Sequence, residues 1–123
     1  MKIESIKFNA KRLDNGEWVE GDLMKESYGA RIIGHTSKAD NWIAVNHSTI
    51  CQFTGLIDCK GNEIWEHDQI HFVGYKPTAE VIWSEDNYAF MVVSENEPIY
   101  CLSDVLEIGK IERIGNKFDK NEE

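Results

Sequence analysis

The sequence lacks the features that mark membrane proteins and disulfide-stabilised proteins. No apolar run approaches the roughly 18 residues that a membrane-spanning helix needs. The first residues, Met1 to Ser5, carry no apolar stretch of the secretory type, so we expect a cytoplasmic protein. Cys51, Cys59 and Cys101 form an odd set without a Cys-x-x-Cys pair. This pattern favours reduced, buried structural thiols, with a regulatory or ligating thiol as the alternative.

Catalytic motifs are also missing. The glycines form neither a Gly-x-Gly-x-x-Gly run nor a phosphate-binding loop, and no nucleophile-elbow serine is present. One group of residues has metal-ligand chemistry: His67, His71, Glu63, Glu66 and Asp68. The predicted structure, however, puts His67 in a turn and His71 on the outer face of the following strand. At ~3.3 Å per residue, the two histidines lie about 13 Å apart along the chain. The sequence therefore predicts no enzyme, no metal site and no cofactor.

Positive charge is scarce in the middle of the chain. Residues 1–50 contain 7 basic residues (Lys and Arg) and 7 acidic residues (Asp and Glu). Residues 51–109 contain 2 basic and 11 acidic residues, and residues 110–123 contain 4 of each. Because nucleic-acid grooves replace counterions with Lys and Arg, the middle segment disfavours DNA or RNA binding. An acidic surface suits a basic protein partner, or simply keeps the protein soluble.

The N-terminal end is the basic part of the chain. It carries four cations near one another in sequence: Lys2, Lys7, Lys11 and Arg12. Nucleic-acid binding through this end is the alternative function, although a solvated surface is the simpler interpretation of these residues.

What the sequence does contain is a succession of short strands. β-Branched and aromatic residues predict nine of them: Ile3 to Ala10, Trp18 to Met24, Ala30 to Ile33, Trp42 to Val45, Thr49 to Leu56, Gln69 to Val73, Ala79 to Ser84, Ala89 to Val93 and Glu107 to Ile114. Asp14-Asn15-Gly16 predicts a hairpin. Asp58-Cys59-Lys60-Gly61-Asn62 predicts a tight turn, because Gly and Asn tolerate positive φ. One helical turn is expected at Ser103–Leu106, capped by Ser103.

The most specific pattern lies between residues 52 and 70. It reads Gln-Phe-Thr-Gly-Leu, one further residue, then Asp-Cys-Lys-Gly-Asn-Glu-Ile-Trp-Glu-His-Asp-Gln-Ile. This pattern resembles the YopX-like proteins of bacteriophages and prophages. Similar stretches occur at residues 6–10, 18–23, 79–83 and 114–121, so the resemblance covers nearly the whole chain. It implies an accessory protein in a bacterial host and brings no catalytic residue.

The chain departs from the family pattern at a few positions. His67 stands where Gly is usual, Lys117 stands where a branched aliphatic residue is usual, and the tail lacks the family's Pro. We expect His67 in the left-handed conformation, in which His is enriched among non-Gly residues.

These observations together predict a mainly β protein with little helix. We expect an N-terminal β-rich layer (residues 1–50), an SH3-like small barrel (residues 51–118) and a frayed tail (residues 119–123). A single helical turn before the last strand is typical of SH3-like barrels. Four side chains should converge in the barrel interior: Ile64, Ile70, Phe72 and Val81.

Aromatic side chains are the candidate contacts for a partner. SH3-like barrels hold peptides in aromatic-lined troughs, whereas most aromatics within strands pack in a core. Trp65 and Trp83 also stand at positions that match the YopX-like pattern, so we assign them to packing. Trp42, Tyr75 and Tyr88 adjoin loops and are assigned to partner binding. Unpaired edge strands further predict a homo-oligomer. The predicted function is non-enzymatic protein–protein interaction.

Overall fold

The computed structural model describes residues 2–35, 40–74, 78–94 and 100–119. The chain divides into two compact units, Met1–Phe53 and Thr54–Glu123. Both are built mainly from antiparallel strands, so the prediction of a mainly β protein with little helix is confirmed.

The first unit is an antiparallel sheet. Its strands are β1 (Phe8–Lys11), β2 (Trp18–Glu26), β3 (Gly29–His35), β4 (Asp40–Val45) and the start of β5 (Cys51–Ile57). The strand order is β4-β3-β2-β1, and β1 also pairs with the first residues of β5. The predicted hairpin at Asp14-Asn15-Gly16 is confirmed, because Lys11 pairs with Trp18 across it.

Short 3₁₀ helices flank this sheet at Ile3–Ser5 and His47–Thr49. The predicted strand Ile3 to Ala10 was therefore wrong in its first half. Asn46 caps the second 3₁₀ helix by accepting a hydrogen bond from the Ser48 N–H, as expected for Asn at an N-cap.

One face of the sheet in the first unit forms a small core. Its buried members are Ala10, Ala30, Ile32 and Val45, with Phe8, Val19, Leu23 and Ile50 packed at the margin. Strands β2 and β3 approach closely at Gly21, where a Cβ atom would stand 1.8 Å from the Ile33 carbonyl oxygen. Glycine is therefore required at this position.

The second unit contains the remaining strands and the helix. These are β6 (Glu63–Trp65), β7 (Asp68–Phe72), β8 (Ala79–Ser84), β9 (Ala89–Val93), β10 (Tyr100–Cys101), α1 (Leu102–Ile108) and β11 (Ile111–Asn116). The strand order is β10-β9-β8-β7-β11, and β6 pairs with the end of β5. Over the described ranges this sheet stays open, so the SH3-like barrel is not confirmed.

Helix α1 precedes the last strand, as expected, but is longer than the predicted turn. Its N-cap is Cys101 and Ser103 lies within the helix, so the prediction of Ser103 as the cap was wrong. Glu107 and Ile108 belong to the helix, and the last strand begins only at Ile111.

The core of the second unit combines β-strand and helix side chains. Its buried members are Ile64, Ile70, Val81, Val92, Leu102, Val105 and Ile111. The predicted convergence of Ile64, Ile70 and Val81 is confirmed. Phe72 is exposed at the end of β7, where its ring lies against Gly109, so its assignment to the interior was wrong.

Candidate functional site

The turn at Asp58–Asn62 is built around one buried carboxylate. Asp58 is 5% exposed. Its Oδ1 accepts the N–H groups of Lys60 (2.9 Å) and Asn62 (2.8 Å), and its Oδ2 accepts the N–H of Arg113 (2.8 Å). Burial of this carboxyl opposes its ionisation, but the hydrogen bonds outweigh burial and lower the pKa of Asp58. The carboxylate holds the turn closed and fastens it to β11.

A second carboxylate, that of Asp68, is fully buried. Its Oδ2 accepts the N–H of Trp65 (2.7 Å) and the Nε–H of Arg113 (2.8 Å), and its Oδ1 accepts the side-chain amide of Asn116 (2.9 Å). Burial raises the pKa of Asp68 by more than these donors lower it. This network joins the β6–β7 turn to β11, so both acidic positions of the motif have structural roles.

The two motif histidines form separate pairs. His67 has a φ of 70°, which confirms the left-handed conformation expected there. Its Nδ1 lies 2.9 Å from Glu80 Oε2, and its ring meets the edge of Phe118 at 5.3 Å. His71 lies opposite Glu112 on β11, with Nε2 2.8 Å from Glu112 Oε1.

Glu112 bonds to Lys60 as well as to His71. Together they lower the pKa of Glu112, with Lys60 as the stronger influence. The histidines do not converge on one point. In the part of the chain that the structure describes, no three His, Cys, Asp or Glu side chains form a metal-binding group.

The three cysteines have different environments. Cys51 is buried, with Sγ 3.3 Å from the Thr49 carbonyl oxygen, as expected of a structural thiol. Cys59 is exposed in the Asp58–Asn62 turn, so the prediction of a buried thiol was wrong there. Cys101 is half-buried beside the Ser103 hydroxyl, with 3.2 Å between Sγ and Oγ.

Two of the three predicted contact residues can be located. Trp42 is 47% exposed on β4, and Tyr88 is 78% exposed in the turn between β8 and β9. Tyr75 lies outside the described residues. Trp42 belongs to the first unit and Tyr88 to the second, so no single unit contains both. Partner binding by these residues stays a prediction.

Trp42 combines an exposed ring with an edge strand. The Leu13 N–H donates to the Ala44 carbonyl, which therefore points away from β3. Because backbone groups of alternate strand residues point the same way, those of Trp42 also point away from β3. On that side residues 11–13 pair with the end of β4 at Ala44 to Asn46. Unpaired edge groups can accept an added strand.

Trp83 is an exposed aromatic that the sequence reasoning missed. It was assigned to packing with Trp65, and only Trp65 is buried. Trp83 is 40% exposed and meets the Phe90 ring edge-on at 5.2 Å. The sequence signal for this exposure was the position of Trp83 next to the predicted turn, one residue before the end of β8. Side chains near the end of a strand are less covered by the core.

The basic N-terminal end is partly neutralised within the first unit. Arg12 forms a two-point pair with Asp14, at 2.9 and 2.7 Å, and the Lys7 ammonium lies 3.5 Å from Glu20 Oε2. Lys11 lies over the Trp18 ring at 5.7 Å. The paired cations have less charge to offer to a phosphate backbone, which weakens the nucleic-acid alternative.

Comparison with known proteins places the chain in a family. The family model described as YopX protein matches residues 7–122. The chain belongs to the YopX family. No curated protein and no solved structure matches it. In this YopX-family protein the residue 58–70 pattern builds a buried polar network, and the exposed aromatic residues lie outside that pattern. Of the described helices, none has the length and apolarity to span a membrane.

Proposed function

We propose that this YopX-family protein is a non-enzymatic protein-binding module. The supporting observation is the exposure of Trp42 on an edge strand and of Tyr88 at a hairpin tip. Large aromatic side chains that contribute little to their own core supply contact area at low entropic cost, and they are enriched at protein interfaces.

The use of the ionisable groups supports a role without catalysis. Asp58 and Asp68 hold backbone N–H groups inside the fold. His67 lies against Glu80 and Glu66, and His71 lies against a different carboxylate, that of Glu112. A general acid–base site needs such groups aimed at one reacting atom, whereas here the carboxylates hold backbone groups or lie against a histidine.

The setting of the protein is part of the same proposal. The family resemblance favours a phage or prophage accessory protein that acts in the cytoplasm of a bacterial host. The helix before the last strand favours an SH3-like relationship for the second unit. The edge position of β4 favours association of two copies, which light scattering of the purified protein would detect.

Capture from host extract tests the protein-binding function. The full-length tagged protein, Trp42→Ala and Tyr88→Ala would be compared by cross-linking and mass spectrometry. Tyr28→Ala is the matched control, because Tyr28 is a fully exposed aromatic in another turn. We expect at least one protein to be recovered by the parent and the control but lost with Trp42→Ala or Tyr88→Ala. Identical recovery by all four proteins would refute the proposal.

Nucleic-acid binding at the basic end is the competing hypothesis. One contact favours it, because the Lys11 ammonium beside the Trp18 ring resembles the pairing of cation and stacking platform in single-strand binders. A gel shift should then show affinity that falls steeply with salt and is lost when Lys2, Lys7, Lys11 and Arg12 are changed to Gln. Absence of a shift at low salt would eliminate this hypothesis.

A further inference from the structure

The turn between β8 and β9 presents aromatic and acidic side chains together. We call Trp83, Glu85, Asp86 and Tyr88 the hairpin tip; all four are exposed. We propose that the hairpin tip docks a basic, arginine-containing segment of a partner protein. This inference rests on the proposed protein-binding function and assigns both the surface and the chemistry of the partner.

The hairpin that carries the tip is held from within. Trp83 pairs with Phe90, and Ser84 pairs with Ala89. Inside the turn, the Ser84 hydroxyl oxygen accepts hydrogen bonds from Asn87 N–H (3.2 Å) and Nδ2 (3.0 Å). These contacts order the turn. The side chains of the hairpin tip do not take part in the Ser84–Asn87 hydrogen bonds.

The tip aromatics are available for contact. Tyr88 is 78% exposed and adopts a φ of 50°, which is unfavourable for a bulky residue. Trp83 and Phe90 form a T-shaped ring pair, and Trp83 remains 40% exposed. An exposed aromatic ring attracts an ammonium or guanidinium group through its quadrupole.

The charge of the tip defines what it can bind. Residues 78–94 contain Glu80, Glu85 and Asp86 and no Lys or Arg. Glu80 is bound to His67, whereas Glu85 and Asp86 make no ion pair among the described residues. The turn therefore combines Tyr88 with two carboxylates that form no ion pair among the described residues, and Trp83 lies near the end of β8 that leads into it. This set matches a guanidinium group, which stacks on rings and bonds carboxylates in its plane.

Peptide binding tests the chemistry directly. Fluorescein-labelled peptides of alternating Gly and Arg, Gly and Lys, or Gly and Glu would be titrated with the full-length protein, and anisotropy recorded at low and high salt. We expect the Arg peptide to bind most tightly, the Lys peptide more weakly and the Glu peptide not at all, with salt weakening the binding. Equal affinity for all three peptides, or no binding of the Arg peptide at low salt, would overturn the proposal.

A charge-matched control separates the tip from the general acidity of the unit. Glu85→Gln with Asp86→Asn should weaken Arg-peptide binding about fivefold, from two lost ion pairs. Asp104→Asn with Glu107→Gln removes the same charge from exposed positions on α1 and should change affinity less than about twofold. Equal losses in the two double variants would mean that the whole field, and not the tip, attracts the peptide.

Aromatic substitutions test the role of the ring. Tyr88→Ala should weaken binding about threefold through the lost cation–π contact, and Tyr88→Phe should restore it. Melting curves of both variants would establish that each is folded. If Tyr88→Ala binds like the parent protein, the ring is not part of the site and the proposal fails.

Host extract distinguishes this inference from the broader function. If a captured partner is lost with Glu85→Gln/Asp86→Asn, both stand. If recovery of the partner is lost with Trp42→Ala but unchanged by the substitutions in the hairpin tip, the hairpin-tip proposal fails and the protein-binding function stands. If the tip binds the Arg peptide and all variants recover the same extract proteins, the tip chemistry holds and the proposed cellular function fails.

Discussion

Replacing Asp58 by Asn tests whether the acidic motif positions hold the fold together. The carboxylate accepts the N–H groups of Lys60, Asn62 and Arg113 and the side-chain amide of Asn62. An amide of the same shape must turn its NH₂ toward one pair of these donors. Asp58→Asn therefore loses two hydrogen bonds to a charged group in a buried site.

The magnitude follows from those two bonds. Hydrogen bonds to charged groups contribute about 1.5–3 kcal/mol each, so two of them at the lower end give an expected loss of about 3 kcal/mol of unfolding free energy. In a chain of this size that loss lowers Tm by about 10 °C. Asp86→Asn is the control, because Asp86 is exposed and no partner for it is described; its effect should stay within about 0.5 kcal/mol.

The difference between parent and variant should also depend on pH. Because hydrogen bonds depress the pKa of folded Asp58, its stabilising contribution is fully present above the unfolded value of about 3.9 and is lost as pH falls through the folded pKa. The stability gap should therefore be constant from pH 7 to pH 5 and shrink below about pH 4. The raised pKa of Asp68 changes stability with pH in the opposite sense. Because the parent and the variant both contain Asp68, its effect cancels in the difference between them.

Urea unfolding monitored by circular dichroism and tryptophan fluorescence would measure these free energies across the pH range. A variant within about 0.5 kcal/mol of the parent at pH 7 would contradict the structural role of Asp58. A gap that stays constant down to pH 3 would contradict the depressed pKa.

Three further changes have definite expected outcomes. Arg113→Met should cost about 3 kcal/mol in urea unfolding, because it leaves a buried carboxylate without its cation; no loss would contradict the ion pair. Gly21→Ala should destabilise the first unit by about 3 kcal/mol, since its Cβ would meet the Ile33 carbonyl. Gly29→Ala is the control: its Cβ would meet no described atom within 4 Å, so thermal melts should show no change. Tyr88→Gly should raise stability by about 0.5–1 kcal/mol by relieving a positive φ, while weakening Arg-peptide binding; a lower Tm would indicate that the ring packs.

Local sterics made several features predictable. The strands Ala79–Ser84 and Ala89–Val93 were predicted to the residue, because turn residues bound them on a continuous run of strand formers. The left-handed conformations of His67 and Gly61 were predictable from the backbone preferences of His and Gly. Strands β6 and β10 were missed, since segments of three and two residues gain their stability from pairing partners and carry almost no local pattern.

Exposure was harder to predict than conformation. Alternation along β7 correctly put Ile70 inside but also put Phe72 there. Trp83 was assigned to packing because it matches a family position, and it is exposed. Both residues lie at or near the end of a strand, where the core no longer covers the face. Whether an aromatic side chain is exposed, and can therefore contact a partner, depends on where the hydrophobic core ends along its strand.

The sequence by itself determined the β-rich character, the main turns, the family and the uneven distribution of charge, because each follows from the identity and order of neighbouring residues. Tertiary structure alone decided the long-range partners of the acidic motif. Asp58 and Asp68 meet Arg113, 55 and 45 positions away, and Asp68 meets Asn116, 48 positions away. No local pattern encodes these contacts, since they arise only when β11 pairs with β7 and brings its donors to buried carboxylates that water no longer reaches.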